Sequence, residues 1–158
     1  MSLLALETAT DTCGVALLKD DQIAAEMHLH QPRVHAERLT PLIEIVLQQA
    51  DVQAAALDAV AVSMGPGSYT GLRIGVSTAK GWALATDAAL VGVPTLGAYA
   101  AQIRPVVQVE DVICPLFDAR RDEVYAAAYR ATPAGFDEQA PTTTLAVDAL
   151  PDWIGPVE

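Results

Sequence analysis

The run Gly65-Pro66-Gly67-Ser68-Tyr69-Thr70-Gly71 places three glycines, a proline and hydroxyl side chains just ahead of a helix-like segment that ends near Thr86. Such a stretch could wrap phosphate with backbone N–H groups. The common phosphate-binding loop, however, needs Gly-x-x-x-x-Gly-Lys-Ser/Thr, so that a lysine reaches the phosphate charge. Here Gly67 is followed by Ser68-Tyr69-Thr70-Gly71, and Lys80 falls well inside the helix. The dinucleotide pattern Gly-x-Gly-x-x-Gly fails too, because counting from Gly65 and Gly67 puts Thr70 at the third glycine position. The alternative is structural. Gly65, Pro66 and Gly67 form a tight turn, Ser68 or Thr70 caps the following helix, and Gly71 and Gly75 let that helix approach a neighbour closely.

Other residue types offer less. His28, His30 and His35 are the three histidines, with the first two on one face of a strand and the third across Pro32 at a helix start. A metal site needs convergent ligands, and this spacing provides none. Two-metal nuclease chemistry would need acids gathered from several elements. Glu7 is in a suitable strand, with Glu37 or Glu44 and Asp118 as conceivable partners, but acids on helices are ordinary surface residues. Ser63, Ser68 and Ser77 lie outside any Gly-x-Ser-x-Gly elbow, and no histidine follows residue 35, so acyl transfer has no support. Cys13 and Cys114 are far apart and read as free thiols in a reducing compartment.

The elements that must carry these residues follow from hydrophobic period. Residues 2–8, 15–20 and 22–30 read as three strands in an antiparallel meander. From His35 to Ala50 the apolar residues Leu39, Leu42, Ile43, Val46 and Leu47 recur at steps of three and four, which is a helical stripe. Pro41 sits early in it and is expected to kink its first turns. A strand over 57–63, a helix from about Thr70 to Thr86, a strand over 89–94 and a helix over 95–103 follow. Two more strands flank the turn at Arg120-Arg121-Asp122. From Thr132 the sequence reads as a hairpin or linker. Strands alternating with helices imply parallel crossovers, so the expected fold is a mixed sheet with helices on its faces, of the ribonuclease-H-like kind.

Composition sets outer bounds. The 158 residues are 52% hydrophobic and 18% charged, which suits a packed globular domain or one domain and the start of a second. Twenty acidic residues against nine basic ones give a net charge of −11, with only Lys19 and Lys80 as lysines. Nucleic-acid binding draws on clustered basic residues, so this chain is a poor candidate to grip RNA or DNA by itself. An acidic surface suits a basic partner. The N-terminus has no basic stretch, and its apolar run is too short for a signal peptide or a membrane span, so a cytoplasmic protein is expected.

Five blocks in order, "LLALETATDTCGVAL", "HAERLTPLIEIVL", "GPGSYTGLRIGVSTAKGWA", "VGVPTLGAYA" and "DARRDEVYAA", resemble the TsaB (YeaZ) family over residues 2 to 130. The resemblance implies the fold of the actin, sugar-kinase and heat-shock ATPase superfamily. It gives a ribonuclease-H-like domain over 1–105 and, over 106–158, the start of a second, truncated or incomplete lobe. It implies a non-catalytic subunit that binds TsaD, the paralogue that transfers threonylcarbamoyl to adenosine 37 of tRNAs reading codons that begin with A. TsaE, an ATPase, joins them; ATP and metal belong to those partners, and tRNA is met only indirectly. Alone, such a chain is expected to form a homodimer through the surface that binds TsaD. TsaD-type enzymes carry a His-x-x-x-His metal pair after a strand ending Gly-Val. After Gly92-Val93 this chain has Thr95 and Tyr99 at those positions, neither of them a replacement for imidazole. The family's dimerisation mode puts the interface on Leu39, Leu42, Ile43 and Val46 of the first helix and on Gly71, Ile74, Gly75, Thr78, Ala79 and Trp82 of the second. The alternatives within the superfamily are an ATP-dependent enzyme and an M22-like glycoprotease.

Overall fold

The computed structural model describes residues 1–31 and 33–154. Its backbone falls into two compact units, Met1–Val93 and Pro94–Glu158, so the division comes earlier than the 105/106 boundary read from the sequence.

The first unit is built on a five-stranded sheet. Strands β1 (Ser2–Glu7), β2 (Thr12–Lys19) and β3 (Gln22–His30) form the antiparallel meander. Strands β4 (Ala59–Ser63) and β5 (Ala89–Val93) join in parallel, giving the order β3-β2-β1-β4-β5. Helices α1 (His35–Gln49) and α2 (Tyr69–Thr86) make the crossovers. Alternation along the strands sends Leu4, Leu6, Cys13, Val15, Leu17, Val60 and Val62 into one core, where they meet Leu39, Leu42, Ile43, Val46 and Leu47 of α1 and Ala79 and Ala83 of α2. Burying a side chain such as Ile43 contributes about 1.5–3 kcal/mol. Helix α1 runs from His35 to Gln49 with Pro41 inside it.

The second unit opens with α3 (Thr95–Gln102) and continues into an antiparallel sheet. The first of the two strands expected around the turn at Arg120-Arg121-Asp122 is split by Cys114-Pro115 into β6 (Val112–Ile113) and β7 (Leu116–Arg120). Proline has no N–H to give to a ladder, which accounts for the break. Strand β8 (Glu123–Thr132) pairs with both and with β9 (Gly135–Ala146), so the segment after Thr132 is a hairpin arm. A short helix α4 (Leu150–Ile154) follows. Leu96, Ala100, Ala127 and Tyr129 form the buried centre, with Ile113, Phe117, Tyr125 and Phe136 around it.

Candidate functional site

Parallel strands β1 and β4 end side by side, at Glu7 and Ser63, and open α/β sheets place their functional groups beyond such ends. The loop after β1 and the loop before α2 meet there. One Glu7 oxygen, Oε2, accepts a hydrogen bond from the Ser63 hydroxyl. The other, Oε1, accepts the Ala9 N–H at 2.6 Å. The Ala9 carbonyl accepts the Ser68 N–H at 2.7 Å. With both oxygens so engaged, Glu7 ties the hairpin turn to the end of β4. Ser63 is only 5% exposed, so its hydroxyl is a buried clasp and not an open nucleophile.

The turn itself is shaped by its glycines. Gly65 adopts φ +112°, a conformation that L side chains rarely reach. The Gly65-Pro66 peptide is cis. A Cβ on Gly67 would strike the Ala9 carbonyl and lie 2.7 Å from the Ala9 Cβ. Ser68 is the N-cap of α2, its hydroxyl accepting the Gly71 N–H at 3.3 Å, while Thr70 lies inside the first helical turn. The close approach inferred for Gly71 and Gly75 has Thr8 as its target: a Cβ on Gly71 would meet the Thr8 carbonyl, and one on Gly75 the Thr8 Oγ1.

That packing redraws the interface expected from the sequence. Leu39, Leu42, Ile43 and Val46 of α1 and Gly71, Gly75 and Ala79 of α2 are buried against the chain's own sheet and hairpin. They present no surface to a partner, which corrects their outward assignment. Ile74 and Trp82 are half-buried and pack on the same core, and Thr78 is half-buried. The outward stripe of α2 carries different residues: Tyr69, Arg73, Ser77, Lys80 and Leu84. At about 100° per residue these fall within an arc of about 80°. Tyr69 is 75% exposed and Leu84 87%, and the Arg73 guanidinium sits 5.6 Å from the Tyr69 ring centroid. Steps of four, four, three and four residues were a readable signal for this stripe, hidden by the more apolar inner face. Beside it, Ala54, Ala55, Gly81, Trp82, Ala85 and Thr86 line a cavity of about 390 Å³.

The remaining candidates do not converge. His35 Nε2 lies 3.2 Å from the Thr12 carbonyl, His30 Nδ1 lies 3.0 Å from Thr12 Oγ1, and His28 sits 3.7 Å from Glu26. Glu37 and Glu44 are on the exposed side of α1. In the second unit Asp118 accepts the Arg120 N–H at 2.6 Å. Among the described residues no three His, Cys, Asp or Glu side chains are grouped to hold a metal ion. Thr95 is buried in α3, and the Tyr99 ring stands edge-on to Phe117 with centroids 4.6 Å apart. Burial pushes the thiols of Cys13 and Cys114 up from their ordinary pKa. No described helix is long and apolar enough to cross a membrane.

The TsaD family model, tRNA N6-adenosine threonylcarbamoyltransferase, matches residues 22–153. The solved structure of YeaZ from Pseudomonas aeruginosa superposes with a TM-score of 0.85 at 33% identity, covering 92% of this chain and 67% of that one. The chain belongs to the TsaB (YeaZ) family. The tRNA threonylcarbamoyladenosine biosynthesis protein TsaB of Bacillus subtilis is 34% identical over 98% of this chain and 65% of its own length. The chain thus spans about two thirds of the length of that relative. An activator of 2-hydroxyisocaproyl-CoA dehydratase from Clostridium difficile, solved with ADPNP, shares the fold at TM-score 0.51 and 12% identity, covering 92% of this chain and 46% of that one. The fold is therefore the one this chain shares with YeaZ and, more distantly, with that activator: a mixed five-stranded sheet crossed over by helices.

Proposed function

We propose that this chain is a non-catalytic subunit for threonylcarbamoylation of adenosine 37 in tRNAs reading codons that begin with A. It acts by binding a TsaD-type partner and holding it in a competent state. ATP and metal belong to the partner subunits, TsaD and the TsaE ATPase, and tRNA is met through them. By itself the chain pairs with a second copy.

The observation that carries this reading is the outward stripe of α2. Its inner face is fully engaged by the Glu7–Ala9 turn and the core, yet its 18 residues still show solvent an aromatic ring and a leucine with cations between them. Large apolar side chains aligned on one helix face mark a surface that another protein covers. The names of the relatives, the lack of imidazole at Thr95 and Tyr99, and a Glu7 carboxylate engaged by its own chain all agree with a subunit that supplies contact and no chemistry.

Size-exclusion chromatography with light scattering tests this, using the chain with TsaD from the same organism. A one-to-one complex is expected, and Leu84→Glu is expected to weaken it at least tenfold while leaving the melting temperature unchanged. A complex that survives both Leu84→Glu and Tyr69→Glu would place the interface elsewhere. Unchanged tRNA threonylcarbamoyladenosine in a strain lacking the gene would remove the functional reading altogether.

A further inference from the structure

The block Asp118-Ala119-Arg120-Arg121-Asp122-Glu123 has no part in the function proposed above. It closes the β7–β8 hairpin, where Arg120 stands opposite Glu123 and Arg121-Asp122 is the two-residue turn. Arg120, Arg121 and Asp122 all hold positive φ, at 67°, 55° and 60°. Two-residue hairpin turns need such angles and usually meet them with Gly, Asn or Asp. The β2–β3 hairpin does so with Asp20-Asp21. Arginine has no short polar group to bond its own backbone in this conformation, so the β7–β8 turn keeps two large side chains where the backbone favours small ones. Such outliers point to a use for the side chains themselves. The turn is also braced: Asp118 accepts the Arg120 N–H at 2.6 Å, and the Val147 N–H donates to the Asp122 carbonyl at 2.9 Å.

Both arginines are unengaged. Elsewhere Arg104 donates to the Thr132 carbonyl and Arg130 to the Glu110 carboxylate, and Arg73 lies over the Tyr69 ring. Among the described residues neither the Arg120 nor the Arg121 guanidinium makes an ion pair, a hydrogen bond or a ring contact. In a chain with 20 acidic residues, two adjacent cations are thus left without a carboxylate. Both line one cavity of about 540 Å³, whose apolar wall includes Leu116, Val124 and Val147. Leu116 is 42% exposed and Val147 50%, so this wall is open to a ligand. We propose that the cavity binds a carboxylate attached to an apolar body, with Arg120 and Arg121 holding the carboxylate and the body lying on Leu116, Val124 and Val147.

Charge selects the ligand class. Asp118, Asp122 and Glu123 line the same cavity, so its acidic side chains outnumber its two arginines. That balance repels a phosphate dianion, a polyphosphate or a nucleic-acid backbone, whose charges would meet the acids as well as the arginines. A single carboxylate carries one charge, and its two oxygens match the planar fork of a guanidinium. The apolar wall then discriminates among carboxylates by what they are attached to. The carboxylate can come from a small organic acid or from an acidic side chain of a protein partner beside an apolar residue. The outward stripe of α2 takes no part, so this site is separate from the contact proposed above.

NMR titration of the full-length chain, with leucine and valine methyl groups labelled, tests this. The probe is N-acetyl-leucine and the uncharged control N-acetyl-leucinamide. The acid should shift the Val124 and Val147 methyl signals saturably and bind about tenfold more tightly than the amide. Arg120→Gln and Arg121→Gln should each weaken the acid about tenfold, and Glu123→Gln should tighten it about threefold by removing a like charge. Arg121→Gly, which relieves the backbone, should raise the melting temperature and still weaken the acid about tenfold. Equal binding of acid and amide would overturn the proposal, as would a glycine variant that binds normally or is less stable. Excess TsaD then names the source. Displacement of the probe assigns the carboxylate to the partner, and simultaneous binding assigns it to a small organic acid. Absence of any complex with TsaD would count against the function proposed above and leave the probe titration standing.

Discussion

Each unit of this chain sets a helix glycine against a buried hydroxyl that has no hydrogen-bond partner among the described residues, and the two pairs have opposite meanings. In the first unit Gly75 faces Thr8 Oγ1 so closely that no Cβ fits, and Gly71 faces the Thr8 carbonyl just as tightly. In the second, a Cβ on Gly97 would lie 3.4 Å from Tyr129 Oη, an ordinary contact. The α2 glycines let a helix sit directly on the β1–β2 turn and so fix where Glu7, Ser63 and Ser68 meet. The α3 glycine fixes nothing comparable, because the long tyrosine side chain already holds the helix at a distance. A small residue in a helix is thus a structural demand only where backbone or a short, rigid side chain lies against it.

Substitutions at the two pairs turn that contrast into numbers. Gly71→Ala and Gly75→Ala should both destabilise by about 3 kcal/mol, the upper part of the range for overpacking a tight site. Thermal or urea unfolding should show Thr8→Ala rescuing Gly75→Ala, whose clash is with side chain, but not Gly71→Ala, whose clash is with backbone. Equal rescue of both would refute the packing described. Gly97→Ala should act in the other direction, stabilising by about 0.5–1 kcal/mol through lower chain entropy in the unfolded state, measured the same way. The smallest effect is expected from Tyr129→Phe, within about 0.5 kcal/mol at neutral pH, since no hydrogen bond is lost.

Its signature is in alkali. Burial, reinforced by the Glu138 charge, pushes the Tyr129 phenol above its ordinary pKa of 10.0. The folded chain therefore keeps a proton that the unfolded chain releases above about pH 10, and the stability contributed by the neutral phenol falls as pH rises past that value. Tyr129→Phe should flatten this part of the stability–pH curve; an unchanged slope would assign it to other groups.

The sequence was most readable where one period dominated. The meander, the α1 stripe and the order of strands and helices all followed from alternation or from steps of three and four, because each element buries one face against a single layer. It was least readable where two faces of one helix compete. Gly71, Gly75 and Ala79 form a stripe of small residues, which suits a partner's helix and the chain's own hairpin equally well. Only the path of the β1–β2 turn beneath α2 decides between them. Leu39, Ile43 and Val46 pose the same ambiguity, since an apolar stripe says that a face is buried but not against what. Glu7 was visible as a carboxylate in the right strand, yet its bonds to Ser63, across 56 residues, and to Ala9 had no local signal.

Local signals along the chain are enough for the element order, the turn chemistry of Gly65 to Ser68, the acidic balance and the absence of histidine at Thr95 and Tyr99. These are local facts, set by side-chain type and spacing. The tertiary structure decided which side of α2 is free, that Glu7 is a clasp, and that Arg120 and Arg121 line one cavity. Those depend on which segments lie together after folding, and close packing leaves only one of two plausible faces exposed.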